Sequence, residues 1–323
     1  QYVAGMILLI IANFAFGTGE NFIASFLPEL TTKDKMGRIS AIGWGAGYIG
    51  GLFSLSAAFA YVDWAQKNQV PNTQYVPQIV ASVAVLFGIL ALPTFIWLKE
   101  RATPDKTISA ADYLGVAFSR LKVTFTHSLY YRDLFNILLA ICIYSCGTGT
   151  VVHLASVYAA DVLHFSPKEL LGMILVVDVT AAIGAFAFGY IQDKIGSVRT
   201  LTIALFIWSL AVLLAAVAQQ KWQLWLAGNF IGIAMGSAGS AGRALVGRFS
   251  PHGRSGEFLG LWGLSMKAAT AIGVLAFGVL TYITRDLRLA LLSMLVFFIA
   301  GIFLVLRVDE QRGMAAAEHE APQ

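Results

Sequence analysis

The chain has 323 residues, 58% of them hydrophobic and 12% charged, with 22 Lys and Arg against 18 Asp and Glu for a net charge of +4. That charged share is about half of what a soluble domain carries, so the chain cannot build a water-facing shell, and the soluble classes are excluded. The modest positive balance gives no footing for a nucleic-acid partner. A helix crosses the ~30 Å hydrocarbon layer in ~20 residues, and the charges here cluster between apolar runs of that length. The sequence predicts nine membrane-spanning helices, over 1–28, 38–62, 76–98, 133–160, 168–191, 198–219, 222–248, 256–282 and 287–306. Helices are required, because every backbone N–H and C=O in lipid must be paired within the protein. A barrel would show ~10-residue alternating segments, and these runs are continuously apolar.

Between the third and fourth spans lies the longest polar stretch, 99–132, read as a cytoplasmic linker. Ser109-Ala110-Ala111-Asp112 resembles a helix-starting capping box. The following 113–125 mixes Leu114, Val116, Phe118 and Leu121 with Arg120 and Lys122, as an amphipathic helix on a membrane surface does. The organisation expected is a three-span unit at 1–98, the linker, a six-span unit at 133–306, and a disordered cytoplasmic tail at 307–323. No signal peptide is read ahead of the first apolar run. With the 29–38 loop placed in the cytoplasm, that side collects sixteen Lys and Arg against five opposite, with Lys267 inside a span. This bias puts the linker and the C-terminus in the cytoplasm and suits a multi-pass protein of a bacterial inner (cell) membrane. Cys142 and Cys146 share a helix face with no metal-ligand spacing around them and read as packing residues; no metal or cofactor is expected.

The connection between the fifth and sixth spans carries Gly189, Asp193, Lys194, Gly196 and Arg199 in the pattern Gly-x-x-x-Asp-Lys-x-Gly-x-x-Arg. Gly189 permits close backbone approach and Gly196 a turn with positive φ. Asp193 suits the positive end of a helix. The pattern resembles the short-loop signature of the major facilitator superfamily. That resemblance implies two six-helix halves, with the signature between helices 2 and 3 and again between helices 8 and 9. The nine spans then correspond to helices 4–12 of twelve, in a chain expected to be truncated at its N-terminus. Phe26-Leu27-Pro28-Glu29, Gly37-Arg38-Ile39-Ser40-Ala41-Ile42-Gly43 and Gly47-Tyr48-Ile49-Gly50-Gly51 are similar to the autophagy-related vacuolar effluxer-like branch and its bacterial relatives. So are Arg243, Arg248, Pro251, Glu257-Phe258, Gly260, Lys267 and Gly273. Two positions depart from that pattern: Cys146 stands where an acidic residue is expected before Gly147, and Val274 where a proline is expected after Gly273. The resemblance implies transport of small organic solutes, with amino acids the theme.

Charges inside a membrane cost at least ~2.5–3.5 kcal/mol each at a helix centre, so they need partners, water or a purpose. Glu20, with Asn13 and Asn21 on the same span, is a candidate for proton coupling or for binding a substrate amine, or else half of a structural ion pair. Asp178 and Lys267 either pair with each other or hold the charged ends of a zwitterion. His153 is a relay or a packing residue, and Tyr144 and Trp262 line a cavity or the core. Arg243 and Arg248 lie within reach of Asp193 and suggest an intracellular gate. Gly43, Gly47 and Gly51 repeat every four residues, as Ala181, Ala185 and Gly189 do. Such stripes let backbones approach closely, either statically or at a sliding interface between halves.

The function expected is a secondary active transporter, a permease that moves a small organic solute by alternating access. It would work as a monomer in the lipid bilayer, with a proton as the coupled ion. The rivals are a membrane-embedded enzyme and a non-transporting receptor or scaffold. No H-E-x-x-H and no nucleotide-binding Gly-Lys-Ser/Thr loop is present, and the pair His127 and Asp133 stands alone, so an enzyme is not expected.

Overall fold

The computed structural model of the chain describes residues 2–99, 115, 131–251 and 254–318. Nine long helices follow in order: α1 (Tyr2–Ser25), α2 (Met36–Lys67), α3 (Asn72–Trp97), α4 (Arg132–Leu163), α5 (Pro167–Ile195), α6 (Ser197–Val217), α7 (Lys221–Phe249), α8 (Ser255–Thr284) and α9 (Leu287–Val305). A tenth, α10 (Glu310–Glu318), is short, and a four-residue helix, Leu27–Leu30, links α1 toward α2. No strand occurs among the described residues. Each expected span has its helix, with ends displaced by a few residues. The amphipathic helix expected at 113–125 lies outside the described residues, as does His127.

Eight of the long helices are long and apolar enough to cross a membrane. The ninth, α7, is equally long at 29 residues but is rich in glycine and serine and carries Asn229, Arg243 and Arg248. Its low apolarity follows from its place, since it packs between α5 and α6 and also meets α2, and close packing calls for small side chains there. Gly236 sits against the backbone of Ala181 and Ala185, and Gly232 against Thr180 and the Val177 carbonyl. A Cβ at either site has no room.

Helix ends follow local chemistry. α5 begins in a full capping box, Ser166 with Glu169, and has Pro167 at its first position. The Asp286 carboxylate accepts from Arg288 N at 2.8 Å and caps α9. α5 ends at Gly196 with φ +90°, and α6 starts one residue later. That tight reversal needs a residue free to adopt positive φ.

The core lies among α4–α9, where Trp208 stacks on Phe298 at 5.7 Å between ring centroids and Trp262, Phe249 and Phe258 are fully enclosed. α1 and α3 turn most of their large apolar side chains outward. In a bilayer such faces carry no penalty, since lipid tails are as apolar as leucine. The two helix groups meet where α2 packs on α5 and α7, and where α1 packs on α8.

The tail corrects an expectation. Residues 310–318 are helical and docked, not disordered. Asp309 Oδ1 accepts from the backbone N–H groups of Gln311 and Arg312 at 3.0 Å and starts the helix. Arg312 then forks onto buried Asp133 at 2.6 and 2.8 Å, Gly313 lies against the Phe249 ring, and Ala317 is buried. An Ala/Glu composition reads as a tail only while these tertiary anchors are out of view.

Candidate functional site

The interface between the helix groups holds two polar clusters. The first gathers where the 29–38 loop, the α5–α6 turn and α10 converge. Arg248 of α7 is its centre, with a side chain only 7% exposed. Its Nη1 donates to Glu310 Oε1 at 2.5 Å and to Ser197 Oγ at 3.0 Å. Its Nη2 donates to the Asp34 carbonyl at 3.4 Å and lies 3.7 Å from Asp193 Oδ1. Glu310 Oε2 also accepts from Ser197 N at 2.9 Å and Val198 N at 3.3 Å, placing its charge at the positive end of α6. Asp193 in turn faces the backbone N–H of Arg38 in the first turn of α2. A buried guanidinium is tolerated only when paired and hydrogen-bonded, and this one is held by both groups of helices at once. Nearby, the Asp133 carboxylate on Arg312 lifts that guanidinium above its ordinary range.

Within the loop signature, Gly189 abuts Ala41 of α2, Asp193 joins Arg248, and Gly196 leaves room for the Glu310 carboxylate, 2.9 Å from where a Cβ would stand. Lys194 and Arg199 are exposed and enter no described ion pair. Gln192 and Ser197, bonded to each other at 2.7 Å, and Asp34 and Glu310 complete the cluster. Sequence reasoning missed all four. Glu310 fell in the expected tail, and Gln192 sat unremarked beside the signature aspartate.

The second cluster lies deeper along the same interface. Lys267 of α8 reaches Glu20 of α1 at 3.2 Å, so its partner is Glu20 and not Asp178. Lys267 and Glu20 side chains are 57% and 29% exposed, so the pair faces open space and not the core. Arg243 does not join Asp193. Its Nη2 donates to the Ser40 carbonyl at 2.7 Å and its Nε to Ser40 Oγ at 3.0 Å, while Ser40 Oγ donates to the Ser240 carbonyl at 2.9 Å. The guanidinium lies over the Trp44 ring at 5.5 Å. Among the described residues it has no carboxylate partner, Trp44 Nε1 is a buried donor with no acceptor, and Asn21 Oδ1 is a buried acceptor with no donor. Tyr48 stands close enough to Glu20, Asp178 and Arg243 to feel all three charges. Unsatisfied buried groups are rare in native structures and call for a reason.

The remaining candidates sort plainly. Asn13 is exposed and bonds its own helix at the Leu9 carbonyl. His153 is exposed and bonds the Gly149 carbonyl at 2.8 Å. Tyr144 is buried inside the α4–α9 core, against Gly242 and Gly301, and does not line the interface. Trp262 is likewise core. The expected Gly43–Gly47–Gly51 stripe is displaced by two residues. Gly47 faces open space, Gly43 meets the Arg243 guanidinium and Gly51 lies toward Asp178. The close approach of α2 to α5 runs instead through Gly37, Ala41 and Gly45, which meet Asp193, Gly189 and Phe186. Ala181 and Ala185 face Gly236 of α7, so only Gly189 of that stripe looks across to α2.

A family model described as "Vacuole effluxer Atg22 like" matches residues 1–318. The chain belongs to this Atg22-like family. It is 23% identical over 316 residues to the uncharacterized MFS-type transporter YxiO of Bacillus subtilis, covering 96% of this chain and 72% of that protein. It is 24% identical over 326 residues to autophagy-related protein 22-1 of Aspergillus fumigatus, covering 92% of this chain and 53% of that protein. The chain therefore spans about half the length of the fungal relatives it matches. Among solved structures, the human organic anion transporter MFSD10 (TETRAN) superposes with a TM-score of 0.66 at 15% identity, covering 88% of this chain and 67% of that one. The E. coli fucose:proton symporter FucP gives 0.65 at 14% identity, covering 90% and 73%. The Atg22-like chain thus has the major facilitator fold and is a multi-pass membrane protein.

Proposed function

We propose that this Atg22-like protein is a secondary active permease that moves a small organic solute by alternating access, with the second cluster as its solute site. The observation that carries the reading is the under-satisfied state of that cluster. Among the described residues Arg243 has no carboxylate at ion-pair distance, its Nε and Nη2 being held by Ser40, and Trp44 Nε1 on the opposite side of the interface has no acceptor. A solute carboxylate fits these donors, since charge-assisted bonds to guanidinium are the strong ones. An ammonium group fits Glu20, whose open pair with Lys267 is worth at most about 1 kcal/mol and is readily exchanged. Together these favour a free amino acid. Glu20 is also the group proposed to take the coupled proton. The first cluster is then a clamp that closes the end bearing the 29–38 loop while the site faces the other side. We place that end and the C-terminus in the cytoplasm on the strength of the basic-residue bias, and propose a monomer in a bacterial inner (cell) membrane.

The test is counterflow of single labelled amino acids into proteoliposomes holding the purified protein. Saturable exchange of one or a few of them supports the permease. Binding without exchange would mark a receptor, and chemical conversion of the solute an enzyme, each overturning the proposal.

A further inference from the structure

A cavity lies inside the α4–α9 group. It encloses about 220 Å³ and is lined from six helices, with Ala155, Met173, Val177, Gly228 and Phe277 among its apolar walls and Asp178 at its edge. Asp178 is the only charged residue in that lining, and no Lys, Arg or His faces the cavity. The other polar groups are engaged: Thr150 donates to the Cys146 carbonyl at 2.6 Å and Tyr158 to the Ala215 carbonyl at 2.9 Å. Asp178 makes no hydrogen bond and no ion pair among the described residues. Lys267, the cation that sequence reasoning offered it, pairs with Glu20 instead. An ionisable side chain within a membrane span calls for a partner, and Asp178 stands in the lining of a cavity whose other walls are largely apolar.

We infer that this cavity binds a compact apolar molecule carrying a single ammonium group, with the ammonium on Asp178 and the hydrocarbon body among Met173, Val177 and Phe277. Binding pockets commonly pair apolar walls with a few placed polar groups, and this one supplies a single anion. A free amino acid is a poor occupant, because its carboxylate would be buried with no donor to receive it and the cost of an unpaired charge is large. An alcohol of the same shape forgoes the charge-assisted bond. The site is therefore distinct in ligand chemistry from the solute site at Arg243, and its occupancy does not depend on transport. Asp178 Oδ2 also lies 3.8 Å from where a Cβ on Gly51 of α2 would stand, so the carboxylate borders the interface between the two helix groups.

The experiment is calorimetric titration of the full 323-residue chain, purified in detergent, with 2-phenylethylammonium, and in parallel with phenylalanine and 2-phenylethanol. Saturable one-to-one binding of the amine is expected, at least ~10-fold tighter than either analogue, since a hydrogen bond to a charged group is worth that much. Asp178→Asn should weaken it by ~10-fold or more. Ala155→Leu, which narrows the cavity and leaves the carboxylate in place, should also weaken it, and this variant decides the matter if Asp178→Asn fails to give a monodisperse protein. Absence of saturable binding, equal affinity for the three ligands, or amine binding unchanged in the variants overturns the inference.

Discussion

The two polar clusters of the interface share helix α7 and treat its two arginines in opposite ways. Arg248 is enclosed and reaches two carboxylates, a serine hydroxyl and a backbone carbonyl. Arg243, five residues earlier on α7, has one serine, one aromatic face and, among the described residues, no carboxylate. A buried network rigidifies as its bonds are made and costs free energy where they are not; Arg248 Nε and Gln192 Oε1 also lack partners among the described residues, so what separates the two arginines is the carboxylates. The contrast teaches that burial of charge at this interface serves two ends: holding the helix groups together near the α5–α6 turn, and leaving bonding capacity open for a solute further in.

The strongest way to break the comparison is Arg248→Met. It leaves the Asp193 and Glu310 carboxylates without their shared cation, and removing one member of a buried ionic group costs about 3–5 kcal/mol. A marked fall in the thermal midpoint of the purified protein is the expected result. Gly196→Ala should come next, at about 1–3 kcal/mol, because φ is +90° there and the Glu310 carboxylate occupies the space of a Cβ. Asp133→Asn loosens the Arg312 fork, with an expected loss of about 1–2 kcal/mol, and limited proteolysis within α10 should become faster. Glu20→Gln marks the other side of the contrast. Its stability effect should stay under about 1 kcal/mol, while amino-acid counterflow falls sharply. The smallest effect belongs to Gly47→Ala, within about 0.5 kcal/mol and with unchanged transport, because nothing lies within 4 Å of the new methyl.

What could be read beforehand divides along similar lines. The spans were legible because lipid imposes a single requirement on every one of them, an apolar surface about as long as the membrane is thick. Even α7, the least apolar, stands out by length and by its small residues. The loop signature locates Asp193, and a link to Arg243, to Arg248 or to the start of the eighth span follows from charge and helix position. Which arginine it would be could not follow, because Arg243 and Arg248 differ by five positions and so point to different faces of one helix, and the sequence does not show which face meets α5. The glycine stripe failed for the same reason. A four-residue repeat names two neighbouring faces of α2, and the tertiary fold chose Gly37, Ala41 and Gly45 over Gly43, Gly47 and Gly51. Glu310 was hidden because its role lies in a contact with a residue 113 positions away, and a short polar helix carries no sign of such a partner.

The most direct measurement is counterflow by Arg243→Gln, with its thermal midpoint taken on the same preparation. If Arg243 holds the solute carboxylate, exchange should fall by ~10-fold or more while the midpoint stays within a few degrees of the parent protein. Exchange at the parent rate, or a midpoint that collapses as it does in Arg248→Met, would show that the deeper cluster is another part of the clamp.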